Sequence, residues 1–383
     1  MALELEVERV QVSESMSLLW HRPPIEEVEQ QARDPETVRV FLNGCFDLMH
    51  VGHFNALRQA KSLFYQKGYK KVVLVAGLHS DEAIAGQKGP PLLSEQERMA
   101  VLKATKWVDE MATDLPYVSM SSRMADALRV QWICHGDDMP ICKGGDGMYS
   151  DIISANRFQI LKRTEGISTT QIMNRLLSAL ENCEASPTTS TAWATSQRLT
   201  SFFAPANPWT PARSLSDSSC VVYVAGTFEL LHAGHIELLQ KAASLGDYLL
   251  VGVHADDIVT KRTGNEPVLT MLERVMSLLS LSLVDDVVLG APWEVNQDLL
   301  TTMNISIVVA ADADSGSPSD TQTRLAVAKQ AGLIQELQLE SKLTSGTLHQ
   351  RVAERREALQ NRNSTLLQKE AAYVHRREYV PEM

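Results

Sequence analysis

The sequence predicts two α/β domains in tandem, each with a doubly wound parallel sheet. Its 383 residues exceed one typical core and suit two domains of about 150 to 200 residues. Two segments, Val40–His53 and Val222–His235, repeat each other, and each joins a β-branched apolar run to apolar residues at helical spacing. Strand alternating with helix indicates right-handed βαβ units with ligand sites at the carboxyl ends of the strands.

The repeat continues beyond these segments. Five residues recur in register, with Gly44, Phe46, His50, Gly52 and His53 matching Gly226, Phe228, His232, Gly234 and His235. Further along, Glu97-Arg98 matches Glu273-Arg274, and Val108-Asp-Glu110 matches Val284-Asp-Asp286. Chance similarity does not stay in register over such a distance, so we expect both halves to share one fold.

The composition is that of a globular protein, with 44% hydrophobic and 22% charged residues. A formal net charge of -11 disfavours broad binding to nucleic acid or to an anionic membrane. No apolar run reaches the roughly 18 to 20 residues of a membrane span, and the acidic start resembles neither a secretory nor a mitochondrial leader. We therefore expect a cytoplasmic protein, at most peripheral to a membrane. Five scattered cysteines without a C-x-x-C pair indicate reduced thiols and no zinc site.

Composition and the repeat divide the chain into five segments. They are an N-terminal extension at 1–37, a first domain at 38–184, a Ser/Thr/Pro-rich linker at 185–219, a second domain at 220–352, and a charged helix and tail at 353–383. Four aromatic residues are unusual for a free linker, and we expect some to pack on a domain: Trp193, Phe202, Phe203 and Trp209. The terminal helix, from near Ser345, is expected to form a solvated lid on the second domain, because Glu and Arg interrupt its apolar face.

The His50-Val-Gly-His53 turn is suited to a nucleoside triphosphate. A helix N-terminus offers unpaired N–H groups and the positive end of its dipole to phosphate. Gly52 lets the ligand approach the backbone, and histidines three apart lie on one helical face. Their donors can stabilise charge on the α-phosphate as pyrophosphate leaves, without a covalent intermediate. An isolated H-x-G-H is usually fortuitous, but this one recurs in context, and a zinc site lacks a third ligand.

Two further segments are suited to binding anions. Arg163-Thr-Glu-Gly-Ile-Ser-Thr-Thr170 precedes an apolar helical stripe, and a plain capping motif would explain Ser168 or Thr169 but not Arg163. Lys88 lies among Gly and Pro turn formers, where a mobile cation can close over a triphosphate. By itself such a lysine would be a solvated surface charge.

With H-V-G-H, K-G-P-P, E-Q-E-R, K-W-V-D-E, H-G-D-D and R-T-E-G-I-S-T-T in this order, the first half resembles the cytidylyltransferases of phospholipid synthesis, which have Rossmann-like domains. The tandem second half is similar to the ethanolamine-phosphate branch of that family. Choline-specific relatives have one catalytic domain and a long membrane-binding helix, an arrangement absent here. The resemblance covers about residues 38–180 and 220–352. It implies transfer of the cytidylyl group of CTP to phosphoethanolamine, giving CDP-ethanolamine and pyrophosphate, with Mg²⁺ on the triphosphate and a homodimer.

The resemblance also implies roles for individual residues of the first half. CTP would be surrounded by Gly44, Cys45, Phe46, Asp47, His50 and His53, with phosphate charge neutralised by Lys88 and Arg163. The triphosphate end would be held by Ser168, Thr169 and Thr170, and the nucleotide would also contact His135 and Gly136. Near the expected substrate pocket lie the carboxylates Asp137 and Asp138 and the aromatics Trp107 and Tyr117. This mixture does not by itself choose between a primary and a quaternary ammonium.

The second half departs from the family pattern. Its candidate nucleotide residues are Gly226, Thr227, Phe228, His232, His235, Arg262, Thr344 and Ser345. The strand Ile307-Val-Val-Ala-Ala-Asp312 lacks the His-Gly pair, Leu343-Thr-Ser345 lacks a preceding arginine, and Arg262 is only the nearest counterpart of Lys88. We expect this half to bind nucleotide weakly or to serve structure and regulation.

Three other functions compete with this interpretation. Class I aminoacyl-tRNA synthetases share the H-x-G-H turn, but they need a K-M-S-K-S-like loop and a basic tRNA-binding module, and this acidic chain has neither. A non-catalytic nucleotide sensor would not need the complete motif set of the first half. A transferase for phosphocholine or glycerol 3-phosphate is the closest alternative, and the tandem architecture favours phosphoethanolamine.

Overall fold

The structure is a computed structural model that describes residues 23–115, 120–137, 148–180, 192–210, 213–216, 218–311 and 323–374. The first half contains α1 (Ile25–Arg33), β1 (Thr37–Gly44), α2 (Val51–Gln66), β2 (Lys71–His79), α3 (Asp81–Lys88), α4 (Glu95–Ala104), β3 (Glu110–Leu115), α5 (Ser122–Ala127), β4 (Trp132–Gly136), α6 (Ser150–Ser154), β5 (Phe158–Leu161) and α7 (Thr169–Leu180). Helix α8 (Ala192–Phe203) connects the halves. The second half contains β6 (Val221–Gly226), α9 (Ala233–Ala243), β7 (Tyr248–Val253), α10 (Asp256–Thr263), α11 (Met271–Leu279), β8 (Asp286–Leu289), α12 (Gln297–Thr302), β9 (Ile305–Ala311), α13 (Ala326–Gln330), β10 (Ile334–Leu337), α14 (Ser345–Glu354) and α15 (Arg356–Val374).

Each half contains a five-stranded parallel sheet. The strand orders are β3-β2-β1-β4-β5 and β8-β7-β6-β9-β10, so β1 and β6 lie at the centres of their sheets. The winding reverses beside each central strand, and the crevice at its carboxyl end is the usual ligand site of a doubly wound sheet. The prediction of two doubly wound domains is confirmed.

The sequence of β1 explains why helices cover both faces of its sheet. Val38, Val40 and Leu42 point into the larger hydrophobic core, whereas Phe41 packs into a separate cluster on the opposite face. Alternate residues of a strand point to opposite faces, so a strand that is apolar throughout needs two covered faces. The central strand is thereby held rigidly, and the turn that follows it begins from a fixed point.

The two halves pack with pseudo-twofold symmetry. Arg175 of α7 pairs with Glu273 of α11 at 3.0 Å, and Arg351 of α14 pairs with Glu97 of α4 at 2.7 Å. Glu97 corresponds to Glu273 in the repeat, and Arg175 corresponds to Arg351. The same contact therefore occurs twice with the halves exchanged, as in an isologous dimer interface formed within one chain.

The segment predicted to be a linker contributes helix α8, which packs against α11 of the second half and contacts Trp107 of the first. Phe202 of α8 is fully buried, and its ring meets the edge of Trp107 with centroids 5.3 Å apart. Phe203 and Trp209 remain exposed, and the side chain of Trp193 lies outside the described residues. The aromatic residues therefore differ in role, with Phe202 serving as the anchor.

The terminal helix was predicted to cover the second domain, and this prediction is wrong. Helix α15 packs against α7 of the first half and does not form a lid on the second domain. Leu359 is buried in the large hydrophobic core, which places α15 beside the carboxyl edge of the first sheet. Among the described helices, none has the length and apolar character needed to cross a membrane.

Candidate functional site

A cavity of about 310 Å³ lies at the carboxyl end of β1 and β4 in the first half. It coincides with the point where the winding of the sheet reverses. Every catalytic and nucleotide-binding residue predicted for this half lines it, namely Gly44, Cys45, Phe46, Asp47, His50, His53, Lys88, His135, Gly136, Arg163, Ser168, Thr169 and Thr170. Motifs more than a hundred residues apart in the sequence therefore converge on one cavity.

His50 is the N-cap of α2, and this position fixes its tautomer. Its Nδ1 accepts a hydrogen bond from the backbone N–H of Gly52 at 3.0 Å, so the proton of the neutral ring lies on Nε2. Burial, followed by the nearby His53 and Arg163, lowers the pKa of His50 well below its usual 6.5. His50 is therefore a neutral hydrogen-bond donor at physiological pH, with the ring of His53 4.1 Å away.

Gly52 is required by the geometry of this cap. A Cβ added at this position would lie 2.8 Å from Cε1 of His50, closer than side-chain atoms normally approach. The absence of a side chain also leaves the backbone at the helix N-terminus open to a phosphate. Glycine is therefore needed at position 52 to make room for the His50 ring, in addition to letting a ligand approach the backbone.

The turn between β1 and α2 has a strained backbone. Phe46 and Leu48 have φ values of 50° and 48°, and Phe228 and Leu230 repeat this with 52° and 50°. Left-handed conformations at residues other than glycine cost on the order of 1 to 3 kcal/mol each and persist where surrounding contacts impose them. Because the same conformation occurs in both halves, the contacts around the end of each central strand impose it.

Arg98 supplies part of the support for this turn. Its fully buried guanidinium donates to the carbonyl of Cys45 at 2.6 Å and to the carboxylate of Asp81 at 2.7 Å. Arg274 donates to the carbonyl of Thr227 and to Asp256, both at 2.6 Å. The Glu-Arg pair recurs in register in both halves of the sequence, and this recurrence is the signal that marks Arg98 and Arg274.

Asp47 connects the turn to the chain that follows the lysine loop. Its carboxylate accepts hydrogen bonds from the backbone N–H groups of Leu92 and Leu93 at 2.9 and 3.1 Å. Burial raises the pKa of Asp47, although these two bonds oppose the shift. Lys88, the last residue of α3, projects to the mouth of the cavity, with its Nζ 3.9 Å from Sγ of Cys45. Asp47 thereby holds the loop that carries this cation.

The second anion-binding segment closes the opposite side of the cavity. The Oγ of Ser168 accepts from the backbone N–H of Gln171 at 3.1 Å, as a helix cap does. The hydroxyl of Thr169 donates to the carbonyl of Asp47 at 3.3 Å and lies 3.4 Å from Nε2 of His50. The start of α7 is thereby joined to the histidine turn, and Arg163 extends beside both.

Of the predicted substrate-binding residues, neither of the two that the structure describes lines the cavity. Trp107 is buried against Phe202, away from the histidines. Asp137 is buried behind the site, where its carboxylate accepts from the backbone N–H of Arg163 at 3.3 Å. It positions the arginine and does not line the cavity. Asp138 and Tyr117 lie outside the described residues.

Helix α15 contributes residues that sequence analysis missed. Four of its side chains line the cavity, namely Leu359, Arg362, Asn363 and Leu366. One turn further along, the carboxylate of Glu370 contacts the guanidinium of Arg163 and accepts from the hydroxyl of Ser168 at 3.2 Å. The heptad-like spacing of Leu359, Leu366 and Glu370 was the only signal, and it does not show which surface the helix covers.

The equivalent place in the second half is more closed. A Cβ on Gly234 would lie 2.4 Å from the carbonyl oxygen of Leu343, whereas the corresponding approach at Gly52 is 3.6 Å from Ile167. His235 is buried, and burial lowers its pKa to about 3. The carbonyl oxygen of Leu343 thus lies closer to the start of α9 than the carbonyl oxygen of Ile167 lies to the start of α2.

The remaining second-half candidates lie around the same turn. Gly226 ends β6, Phe228 packs 5.4 Å from the ring of His235, and the His232 and His235 rings stack at 3.7 Å. Thr344 caps α14, and Ser345 donates to the carbonyl of Glu229 at 2.9 Å, as Thr169 does to Asp47. The guanidinium of Arg262 lies 5.3 Å from the ring of Trp293, and the carbonyl of Thr227 accepts from Arg274. The framework of the site is thus retained.

Comparison with known proteins matches both halves. The family model described as cytidylyltransferase-like matches residues 41–175 and 223–358. An ethanolamine-phosphate cytidylyltransferase of Arabidopsis thaliana is 35% identical over 384 residues, covering 91% of this chain and 88% of that protein. One from Dictyostelium discoideum is 35% identical over 355 residues, covering 88% and 96%. The choline-phosphate cytidylyltransferase 2 of Arabidopsis thaliana is 36% identical over only 143 residues, covering 37% of this chain and 45% of its own length.

Proposed function

The chain belongs to the cytidylyltransferase-like family and, within it, to the ethanolamine-phosphate cytidylyltransferases, and from this we propose that it converts CTP and phosphoethanolamine into CDP-ethanolamine and pyrophosphate for phosphatidylethanolamine synthesis. One observation carries the proposal for the first half. Two histidines, a lysine and an arginine converge on one cavity at a helix N-terminus. Such a site is suited to a phosphate that becomes more negative during reaction.

The proposed mechanism is a direct displacement. A phosphate oxygen of phosphoethanolamine attacks the α-phosphorus of CTP, a new P–O bond forms, and the bond to the β-phosphate breaks to release pyrophosphate. No general base is needed, because a phosphate monoester with a second pKa of about 6 is mostly ionised at pH 7. His50 and His53 donate to the oxygens around the α-phosphorus, where charge develops in the transition state.

The cationic residues have a complementary role. Lys88 at the mouth and Arg163 beside α7 neutralise the triphosphate and the departing pyrophosphate. The hydroxyl of Ser168, once released from Glu370, and the backbone N–H groups at the start of α7 donate to the same oxygens, while Thr169 keeps its bond to the carbonyl of Asp47. Asp47 and Asp137 position the lysine loop and the arginine from behind.

Mg²⁺ enters this proposal as the companion of CTP. Among the described residues there is no group of three or more His, Cys, Asp or Glu side chains that could hold a metal ion. Asp47, the carboxylate of the turn that faces the cavity, already accepts two backbone hydrogen bonds. These residues do not form a magnesium site of their own. The ion is expected to be held mainly by phosphate oxygens and water, as Mg²⁺ usually is in such reactions.

Phosphoethanolamine is preferred over phosphocholine in this proposal. The relatives that match nearly the whole chain are named for ethanolamine phosphate, and the choline-phosphate enzyme matches little more than a third of it. We propose a cytoplasmic location, because the described cysteines are free thiols, as expected in a reducing compartment. Two partner assignments stay predictions: that the protein does not bind nucleic acid, and that it forms a homodimer. Within one chain, the pseudo-twofold contact between the halves already resembles a dimer interface.

One assay tests the proposed function. Purified protein is incubated with labelled CTP and Mg²⁺, with phosphoethanolamine, phosphocholine or glycerol 3-phosphate in parallel reactions. We expect labelled CDP-ethanolamine as the dominant product. CDP-choline or CDP-glycerol as the dominant product would redirect the proposal to another acceptor, and no product with any acceptor would overturn it.

A further inference from the structure

Helix α15 brings a cation into the cavity from outside both repeats. The Arg362 side chain lines the cavity together with His50, Lys88 and Arg163. Its Nη1 donates to the carbonyl of Pro90 at 2.7 Å, in the loop that follows Lys88. Its Nε is buried and has no hydrogen-bond partner. The guanidinium thus uses only some of its N–H donors in hydrogen bonds to the protein.

The position of Arg362 is fixed by the surrounding packing. Leu359 and Asn363, on either side of it, are each only 4% exposed. Upstream, Arg351 pairs with Glu97 at 2.7 Å, and Arg355 donates to the carbonyl of Pro91 at 3.2 Å. Several independent contacts therefore hold the start of α15 and the turn before it on the first half, where Arg362 is half-buried.

The charges around the cavity leave the Arg362 guanidinium able to bind an anionic ligand. Two carboxylates lie near the cavity: Asp47, whose oxygens accept from backbone N–H groups and whose charge the Arg362 guanidinium stabilises, and Glu370, which contacts Arg163. A buried guanidinium nitrogen without a partner is costly unless a ligand supplies an acceptor. Both substrates of the proposed reaction carry phosphate, whose oxygens match the planar fork of a guanidinium.

We propose that Arg362 is a substrate-binding residue of the first-half site, where its guanidinium binds a phosphate group of CTP or of phosphoethanolamine. Its bond to Pro90 couples this contact to the loop that carries Lys88, so that two cations approach the phosphates together. The inference rests on the proposed function. It gives the terminal helix a direct part in binding, although most of that helix lies beyond residue 358, where the second match to the family model ends.

Steady-state kinetics of the full-length chain test this role. The variants are Arg362→Gln, Arg362→Lys and the matched control Arg355→Gln, which removes a neighbouring cation that bonds to the same loop but does not line the cavity. We expect Arg362→Gln to raise one KM by about tenfold or more with a smaller change in kcat, as loss of a charged contact would. The lysine variant should recover part of the loss because it keeps the charge without the fork. The KM that rises identifies which substrate phosphate is bound.

Several outcomes would overturn the role. They are KM values for both substrates that match those of Arg355→Gln, or a loss of activity that follows a lowered melting temperature in both variants alike. Wild-type protein that forms no CDP-ethanolamine would instead refute the proposed function. Titration of CTP and of phosphoethanolamine into wild type and Arg362→Gln then decides the inference by itself, and equal affinities for both ligands would refute it.

Discussion

Replacing Glu370 by glutamine should tighten the binding of CTP. In the structure the Glu370 carboxylate contacts the guanidinium of Arg163 and accepts from the hydroxyl of Ser168 at 3.2 Å. These are two of the groups proposed to hold the triphosphate. CTP must therefore displace a carboxylate of the same chain before its own oxygens reach them. Glutamine keeps the size and hydrogen-bonding capacity of the side chain but removes the negative charge.

The size of the effect follows from the exposure of this pair. The Arg163 and Glu370 side chains are 26% and 18% exposed, so the pair lies between a surface ion pair and a buried one. Hydrogen bonds to charged groups contribute about 1.5 to 3 kcal/mol, and partial exposure reduces this to about 1 to 2 kcal/mol. Converted to affinity, the KM for CTP should fall by about 5- to 30-fold.

The assay measures the KM for CTP at saturating phosphoethanolamine in wild type and in Glu370→Gln. Glu357→Gln is the matched control, because it removes an exposed charge of the same sign from the same helix. The difference between the two variants should shrink as salt is added, since salt screens a partly exposed pair. An unchanged KM in Glu370→Gln, or an equal fall in both variants, would refute the reasoning.

Four other predictions concern the histidines and the substrate. Replacing His50 or His53 by alanine should lower kcat by about 10²-fold or more, since a donor to the transition state is lost, and near-normal turnover in a folded variant would contradict that role. Alanine at both His232 and His235 should lower kcat less than alanine at both first-half histidines, because the second-half site is more closed. A lower kcat in the second-half variant than in the first-half variant would reverse our assignment. The kcat/KM for phosphoethanolamine should exceed that for phosphocholine by at least about 10²-fold, and comparable values would refute the specificity alone. Burial lowers the pKa of His235 from 6.5 to about 3. As the pH is lowered below 6.5, the unfolded chain binds a proton at this residue and the folded chain does not, so the unfolding free energy decreases. Between pH 7 and pH 5, wild type should lose about 2 kcal/mol more unfolding free energy than His235→Gln in denaturant titrations, and equal losses would contradict the shift.

The sequence predicted the parts of the site that depend on local geometry. A strand, a tight turn and a helix cap are fixed by neighbouring residues, so the H-x-G-H turn and the R-T-E-G-I-S-T-T segment could be identified from spacing. Their convergence followed from the parallel sheet, because the carboxyl ends of adjacent strands meet at one edge. Repetition of the motifs in the second half removed the ambiguity that a single copy would have carried.

The contributions of α8 and α15 could not be predicted in the same way. Trp107 was assigned to the substrate because it belongs to the motif set, but its position depends on Phe202, which lies in a segment without sustained periodicity. Arg362 and Glu370 reach Pro90 and Arg163 through docking of α15 on α7. A helical pattern shows that a face is apolar without showing which surface will cover it.

The role of the second half can be argued from how α15 reaches the first site. In the second half, the carbonyl oxygen of Leu343 lies close to Gly234 at the helix N-terminus, and we expect this site to bind phosphate weakly. The same segment leads directly into α14, whose Arg351 pairs with Glu97 of the first half, and α14 continues into α15. The pseudo-twofold packing therefore sets the path of the terminal helix. Even without turnover of its own, the second half shapes the active cavity by delivering Arg362 and Glu370 to it.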